Sequence, residues 1–294
     1  SAYFAIVATA LPIFQFSIFG AGMLRSSGNM VVPSVMSVVM MSLDVVFNFF
    51  LIFPTRPVQL FGAEVTIPGM GMGVVGAAIG TVSAELVAAS ITMYILCFRS
   101  KELSLRIDTG RFLPTWGVVK RALHISLPMG LQQTIMCSAY VMTTIIIAPL
   151  GTFAIAANSF GVIVESLCYM PGYGIADAAT TLVGQSIGAG RHELMKRFAW
   201  LSVGLGVTVM AVMGVVMYVG APVAMAMMTP AEEVRRLGVE VLRIEAFAEP
   251  MFAAAIVSYG VFVGAAKTLV PSIMNLVSIW GVRISLAALL APSM

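Results

Sequence analysis

The sequence predicts an all-α integral membrane protein, and three observations support this fold class. Only 10% of the 294 residues are charged and 60% are hydrophobic, whereas soluble chains are roughly 25% charged. Uncharged apolar stretches recur that exceed the roughly 18 residues needed to cross a bilayer. Gly, Pro and Ser interrupt them, as membrane helices tolerate. Eight transmembrane helices are predicted, at 3–24, 33–53, 72–98, 122–148, 153–184, 198–221, 239–263 and 270–291.

The basic residues predict how these helices are oriented. When successive loops are assigned alternately to two sides, eleven Lys and Arg residues fall on one side and three on the other. Because cytoplasmic loops carry the excess of Lys and Arg, this split places a multi-pass protein in the cell membrane, with cytoplasmic loops at 25–32, 98–121, 185–197 and 264–269. The net charge of +3 comes from these loops. It indicates a lipid bilayer as the partner and does not indicate nucleic acid.

An internal repeat predicts how the helices are grouped. Residues 11–36 and 249–274 align at a separation of 238 residues, with Pro12 on Pro250 and Gly22 on Gly260. Val32-Pro33-Ser34 likewise falls on Val270-Pro271-Ser272. Internal duplication is common among transporters, although two similar proline-bearing helix pairs would give the same alignment. The second copy starts at the seventh helix, so one repeat unit comprises six helices.

A duplicated six-helix unit predicts a parent fold of twelve helices in two lobes, related by an axis along the membrane normal. The chain then supplies helices four to eleven, with three helices expected before it and one after it. Residues 1–97 form the last three helices of the first lobe, 98–121 form a cytoplasmic linker, and 122–294 form the first five helices of the second lobe.

Four acids are predicted near the middle of the membrane. At about 1.5 Å per residue, they lie about 15–20 Å from one end of their predicted helices, near the midplane of a hydrocarbon core of about 30 Å. They are Asp44, Glu85, Glu165 and Glu249. One base, Arg283, lies at similar depth and is interpreted as a partner for an acid. The acids cannot all be ionised and unpaired in lipid, and a carrier driven by Na⁺ or H⁺ needs such groups.

Polar neighbours favour some of these acids as sites of ion or substrate coupling. Asn158 lies seven residues before Glu165, on the same helical face, and Asn48 lies four residues after Asp44. Glu249 precedes Pro250, where the helix is expected to bend. For each acid, a hydrogen bond that serves packing is the alternative. Glu245 is placed nearer the outer edge of the membrane and is interpreted as peripheral.

Weaker candidates could line a cavity. Gln132 and Gln133 follow Pro128, and cavity lining and interhelical hydrogen bonds are equally compatible with them. Glu85 has no polar neighbour on its face. The three cysteines have no metal-ligand spacing, so no cofactor and no metal beyond a possible Na⁺ is expected.

Enzyme classes find little support in the sequence. GMGVVG at 71–76 matches a dinucleotide-binding pattern, but no strand precedes it and it opens a membrane helix. The chain has neither a P-loop lysine motif nor H-E-x-x-H. A membrane protease or lipid transferase is the different-class alternative, and we expect that the protein is not an enzyme.

Several segments resemble one transporter family in sequence and in order. MPGYGIADAATTLVGQSIGAGR (170–191), GMGVVGAAIGT (71–81) and RSSGNMVVP (25–33) are similar to motifs of the MATE (multidrug and toxic compound extrusion) exporters. The resemblance implies two six-helix lobes around a central cavity, in a monomer that exports small organic compounds in exchange for Na⁺ or H⁺. Cationic or neutral drug-like compounds are the expected substrates.

The resemblance also bears on individual residues. LDVVFNFFLIF (43–53) is similar to the family's fifth helix, but Asp44 and Asn48 stand in reversed order, which puts the carry-over of that helix's role in doubt. Thr81 matches a threonine of the sixth helix and could complete an oxygen cluster with Asp44. A lipid-linked oligosaccharide flippase of the same superfamily is the alternative function. It would require a strongly cationic cavity, whereas the ionisable groups within the predicted membrane spans are mostly acidic.

Overall fold

The computed structural model describes residues 2–60, 63–100 and 115–290. The chain divides into two compact units, Ser1–Phe112 and Leu113–Met294. The predicted linker, 98–121, contains this division. Its residues 101–114 lie outside the described residues, so the linker and the lobe boundaries beside it stay predictions.

Three membrane-length helices form the N-terminal unit. They are α1 (Ala2–Ser26), α2 (Val31–Ile52) and α3 (Gly73–Tyr94), the last ending in a π-helical turn at Ile95–Arg99. Helix α3 packs against both of the others, because small residues on it allow close approach. A Cβ atom at Gly76 or Gly80 would collide with Leu51 or Asn48 of α2.

A β-hairpin joins α2 to α3, and the sequence analysis did not predict it. Strands β1 (Pro54–Leu60) and β2 (Ala63–Met70) pair antiparallel, with a register shift between Pro54 and Arg56. At the base of the hairpin, the Thr55 hydroxyl exchanges hydrogen bonds with the backbone of Gly69 over 3.1 Å. The fold class is otherwise helical, as predicted.

The C-terminal unit contains the remaining helices. They are α4 (Trp116–Ile147) followed by a 3₁₀ turn at Ala148–Leu150, α5 (Thr152–Gly188), α6 (His192–Met228), α7 (Glu232–Ala246), α8 (Glu249–Gly264), α9 (Leu269–Leu276), a π-helical segment at Val277–Ile284, and α10 (Ser285–Leu290).

The structure agrees with seven of the eight predicted membrane spans, and with all eight when one bent helix pair counts as a single span. Among the described residues, seven helices or continuous helical segments are long and apolar enough to cross a bilayer, and α7 with α8 passes the same test as a pair bent by 58°. Several helices extend beyond the predicted apolar stretches. Helix α4 starts at Trp116 rather than residue 122, and α6 starts at His192 rather than residue 198, because a helix can continue past the hydrocarbon region into its polar boundary.

Large apolar side chains cover the outside of these helices. Trp200 is 79% exposed, Met227 83% and Leu289 73%. A soluble monomer rarely exposes a continuous apolar surface of this kind, so lipid is the solvent that fits these side chains.

The 238-residue repeat extends to backbone geometry. Gly28 and Ala266, which align in the repeat, both have positive φ angles, of 87° and 55°. Three backbone hydrogen bonds close the turn at the end of α1, and three with the same spacing close the turn at the end of α8. Pro33 and Pro271 are each buried at the third position of the following helix. Matching turns of this kind favour duplication over two unrelated proline-bearing pairs.

Close packing of α5 against α8 holds the C-terminal unit together. The Thr180 hydroxyl donates to the Gly260 carbonyl over 2.8 Å. A Cβ atom at Gly260 would lie 2.5 Å from the Ala176 carbonyl oxygen, and one at Gly264 would collide with the Thr180 carbonyl. Gly260 and Gly264 thus form a small-xxx-small contact of the kind that lets membrane helices approach closely.

This contact predicts that Gly260→Leu destabilises the protein. The Ala176 backbone cannot rotate away as a side chain can, so overpacking should lower the free energy of unfolding by roughly 1–3 kcal/mol. Thermal unfolding of the complete protein in detergent measures this. Gly174→Leu on α5 is the matched control, because a Cβ atom there has no neighbour within 4 Å. Equal unfolding temperatures for the two variants would contradict the packing argument.

Candidate functional site

In the N-terminal unit, Asp44 and Asn48 form the predicted pair on α2. The side-chain amide of Asn48 donates to Oδ1 of Asp44 over 3.1 Å. The other polar atom of Asn48, Oδ1, is buried and has no hydrogen-bond partner among the described residues. It faces Gly80 of α3. The pair therefore presents an unused acceptor oxygen beside a half-buried carboxylate.

Thr81 and Glu85 lie on α3, shortly after Gly80, which is the residue of α3 that approaches Asn48. Thr81 follows Gly80 and is half-buried, but in the part of the chain that the structure describes its hydroxyl makes no hydrogen bond to Asp44. The expected oxygen cluster of Thr81 and Asp44 is therefore not formed by direct hydrogen bonding. Glu85, one helical turn later, is 5% exposed, which makes it one of the two acids that are buried in the described structure.

In the C-terminal unit, the expected bend occurs immediately before Pro250. Helix α7 ends at Ala246 and α8 begins at Glu249, with 58° between them. Proline has no N–H and suits the first turn of a new helix, so the chain restarts as α8 rather than extending α7. A short turn bridges the gap, in which the Ala248 amide donates to the Glu245 carbonyl over 2.8 Å.

Glu249 is the buried acid of this break. Its side chain is 3% exposed, and its Oε2 atom has no hydrogen-bond partner among the described residues. Gly214 of α6 makes room for it, because a Cβ atom at Gly214 would lie 2.7 Å from the Ala246 carbonyl oxygen and 3.3 Å from Cβ of Glu249. An unpartnered carboxylate oxygen in such a place is costly unless it carries a proton or meets a cation.

Glu249 belongs to a cluster of three acids and one base, which we call the acidic cluster. Glu165 of α5 and Glu245 of α7 are half-buried, and Glu165, Glu245 and Glu249 interact electrostatically with one another. Arg283, in the π-helical segment, interacts with Glu165 and Glu245. Within the described residues, no three Asp, Glu, His or Cys side chains are placed to ligate one metal ion.

Glu245 is the member that the sequence analysis interpreted as peripheral. Its depth was counted along a single straight helix from residue 239, whereas α7 begins at Glu232 and the span is bent. The sequence contained one sign that Glu245 belongs with Glu249. The two acids are four residues apart, one on each side of the expected break. The interpretation of Arg283 as the partner of an acid stays a prediction.

The other predicted polar residues have different surroundings. The Ser272 hydroxyl of α9 donates to Oε1 of Gln132 on α4 over 2.8 Å. Gln132 therefore makes an interhelical hydrogen bond, which is one of the two roles that the sequence left open for it. Gln133 is exposed. Asn158 is half-buried on α5 and makes no hydrogen bond to Glu165 in the described structure.

The hydrogen bond between Gln132 and Ser272 can be tested with a double-mutant cycle. We expect Gln132→Ala and Ser272→Ala to be coupled by about 0.5–1 kcal/mol, the usual range for polar contacts between membrane helices. Unfolding of the complete protein by a denaturing detergent provides the free energies. Gln133→Ala with Ser272→Ala is the matched control and should show no coupling. Coupling of equal size in both cycles would contradict the assignment.

Apolar, lipid-facing helices of membrane-spanning length define the chain as an integral membrane protein. The MatE family model matches residues 128–289, which is more than half of the chain, and the chain therefore belongs to the MatE family.

Curated relatives agree with this assignment. A "Probable multidrug resistance protein NorM" of Thermotoga maritima is 26% identical over 97% of this chain and 58% of its own length. A protein of the same name from Brucella suis is 29% identical over 75% of this chain and 48% of its own length. The chain thus spans about half to three fifths of the length of these relatives. They are named as multidrug resistance proteins rather than as enzymes.

Solved structures share the fold. An outward-facing multidrug resistance MATE family transporter of the MOP superfamily matches with a TM-score of 0.83 and 19% identity, covering 97% of this chain and 61% of the other. A MOP superfamily transporter from Pyrococcus furiosus matches with a TM-score of 0.83 and 19% identity, covering 99% and 62%. At this identity the likeness shows the fold, which is the twelve-helix fold of MATE transporters.

Proposed function

We propose that this chain is part of a secondary active antiporter that exports small organic compounds in exchange for Na⁺ or H⁺. The observation that carries the proposal is the acidic cluster of the C-terminal unit, with Glu249 buried and one of its oxygens unpartnered among the described residues. Carboxylates that can load and release a cation within the membrane are what ion-driven transport requires. The multidrug resistance names of the relatives support small organic compounds as the cargo.

Glu165 and Glu249 are the proposed coupling acids of the C-terminal unit, with Asn158 as a polar neighbour on α5. Asp44, Asn48 and Thr81 are the corresponding polar set of the N-terminal unit. Cation binding at these groups competes with substrate or changes the shape of their helices, and the 58° break beside Glu249 is a natural place for such a change. The complete protein is proposed to act as a monomer in the cell membrane.

The excess of acid over base favours cationic or neutral drug-like substrates. The acidic cluster has three carboxylates and one arginine, and this excess of acid suits an organic cation and would repel the pyrophosphate of a lipid-linked sugar. The comparisons give the flippase alternative no support. We therefore retain export of organic compounds as the proposed function.

Proteoliposomes that contain the complete protein test this proposal. An imposed Na⁺ or H⁺ gradient should drive movement of a fluorescent organic cation such as ethidium. Glu165→Gln should lower the gradient-driven rate at least tenfold, because an amide cannot load and release a cation as a carboxylate does. Glu240→Gln is the matched control, since Glu240 is an exposed acid of α7.

If Glu165→Gln and Asp44→Asn both left gradient-driven efflux at the rate of the unmodified protein, these two residues would be excluded as coupling sites. Equal losses in Glu165→Gln and Glu240→Gln would point instead to a general effect of removing an acid.

A further inference from the structure

A cavity of about 380 Å³ lies in the N-terminal unit, where α1 ends, α2 begins and α3 ends. We call it the cytoplasmic cavity, because it is formed by the ends of two loops that are predicted to be cytoplasmic, 25–32 and 98–121. Its lining includes three polar residues, Ser27, Asn29 and Arg99, and three apolar ones, Leu24, Val32 and Ile95. No carboxylate is among the described residues that line it. The cavity is therefore amphipathic, and its one charged lining group is a cation.

Aromatic side chains indicate the depth of the cytoplasmic cavity in the membrane. The rings of Tyr94 and Phe98, just before Arg99, pack against each other with their centroids 5.4 Å apart. Both side chains are exposed on the outside of the helix. Tyrosine is enriched where lipid meets water, and an arginine beside that boundary can extend its guanidinium into the polar layer. The cavity thus lies at the level of lipid head groups.

The turn between α1 and α2 holds Asn29 in a fixed orientation. Its backbone amide donates to the Leu24 carbonyl over 2.9 Å. Its side-chain Oδ1 accepts a hydrogen bond from the Val32 amide over 3.2 Å, which satisfies a donor at the start of α2. Because Oδ1 is used in this way, the side chain keeps two N–H donors on Nδ2. Among the described residues these donors have no partner, so Asn29 offers them to the cavity.

Arg99 supplies the positive charge. It is the last residue of the π-helical turn Ile95–Arg99, which the Ser100 amide closes by donating to the Ile95 carbonyl over 2.8 Å. Such turns are rare and frequently occur at functional sites. The guanidinium is exposed and makes no ion pair within the part of the chain that the structure describes. Arg99 and Asn29 together present several N–H donors without a competing acid in the lining.

We propose that the cytoplasmic cavity binds the head group of an anionic phospholipid from the cytoplasmic leaflet. Arg99 and the Asn29 side-chain amide donate to the phosphate oxygens, and hydrogen bonds from a guanidinium to phosphate are among the strong ones. Val32 and Ile95 provide apolar surface for the glycerol backbone and the first methylene groups of the acyl chains. Basic pockets between membrane helices on the cytoplasmic side suit such head groups.

The lining also favours an anionic lipid over two other ligands. A zwitterionic phospholipid brings an ammonium group into a cavity whose described lining has no carboxylate to pair with it. A free phosphate ion leaves the apolar part of the lining unused. This inference is independent of the proposed antiport, because binding of a lipid is measured without transport.

Binding of dioleoylphosphatidylglycerol to the complete protein in detergent tests the proposal. Native mass spectrometry counts the bound lipid as its concentration is raised. Arg99→Gln should raise the dissociation constant about tenfold, because a charge-assisted contact to phosphate is lost. Asn29→Asp keeps the acceptor that caps the Val32 amide but replaces the two donors with a negative charge. It should also weaken binding about tenfold.

Three controls accompany these variants. Arg197→Gln is the matched arginine control, because Arg197 is exposed near the start of α6, in another predicted cytoplasmic loop, and does not line the cavity. It should leave the affinity unchanged. Dioleoylphosphatidylcholine should bind the unmodified protein about tenfold more weakly than dioleoylphosphatidylglycerol. Inorganic phosphate should not displace the bound lipid at equal concentration.

Each result supports or overturns the assignment. Unchanged affinity in Arg99→Gln and Asn29→Asp overturns it, and so does an equal loss in Arg197→Gln, which would indicate a general attraction of anionic lipid to surface charge. Equal binding of the two lipids overturns the preference for an anionic head group, and displacement by phosphate would indicate a site for the free ion. If Arg99→Gln does not yield folded protein, Asn29→Asp decides, and unchanged affinity in that variant overturns the proposal.

Discussion

The break between α7 and α8 is the constraint on which the C-terminal unit depends. A bilayer offers no water to a freed backbone group, so a break within a span must be surrounded by protein. Gly214 of α6 meets this need, since its missing side chain leaves room for the Ala246 carbonyl and for Glu249. The same break lies between Glu245 and Glu249, so both acids stand at its edges. Backbone packing and the position of the acids are thus consequences of one feature.

Close contacts at small residues position the acidic cluster. Apolar association alone does not drive helices together in lipid, because lipid is as apolar as the side chains. Gly260 and Gly264 bring α8 onto the carbonyl groups of Ala176 and Thr180 of α5. That contact fixes how α8 lies along α5, and it therefore fixes where Glu249 at the start of α8 lies relative to Glu165. A loss of packing about three to four turns away would change the separation of the two acids.

The sequence predicted features that are local and missed those that depend on how helices meet. The number of spans follows from apolar length, and the bend before Glu249 follows from Pro250. The hairpin at Pro54–Leu60 and Ala63–Met70 was missed because its segment carries prolines and glycines that are typical of loops. Glu165, Glu249 and Arg283 were selected from their estimated depth, and their roles stay predictions. Three features depend on tertiary packing, which one sequence does not reveal. They are the surroundings of Glu245, the hydrogen bond between Gln132 and Ser272, and the lack of a direct hydrogen bond between Thr81 and Asp44 among the described residues.

The two copies of the repeat show that proline alone does not cause the break. Pro12 occupies the position of Pro250, yet α1 continues through it from Ala2 to Ser26. Leu11 stands where the second copy has Glu249, and Val7 stands where it has Glu245. The second copy thus combines a broken helix with two acids, and the first copy has neither. In the second copy α5 and α6 both pack closely on the broken span. The freed backbone and the acids therefore occur together where two neighbouring helices enclose them, which is the condition under which a membrane can hold either.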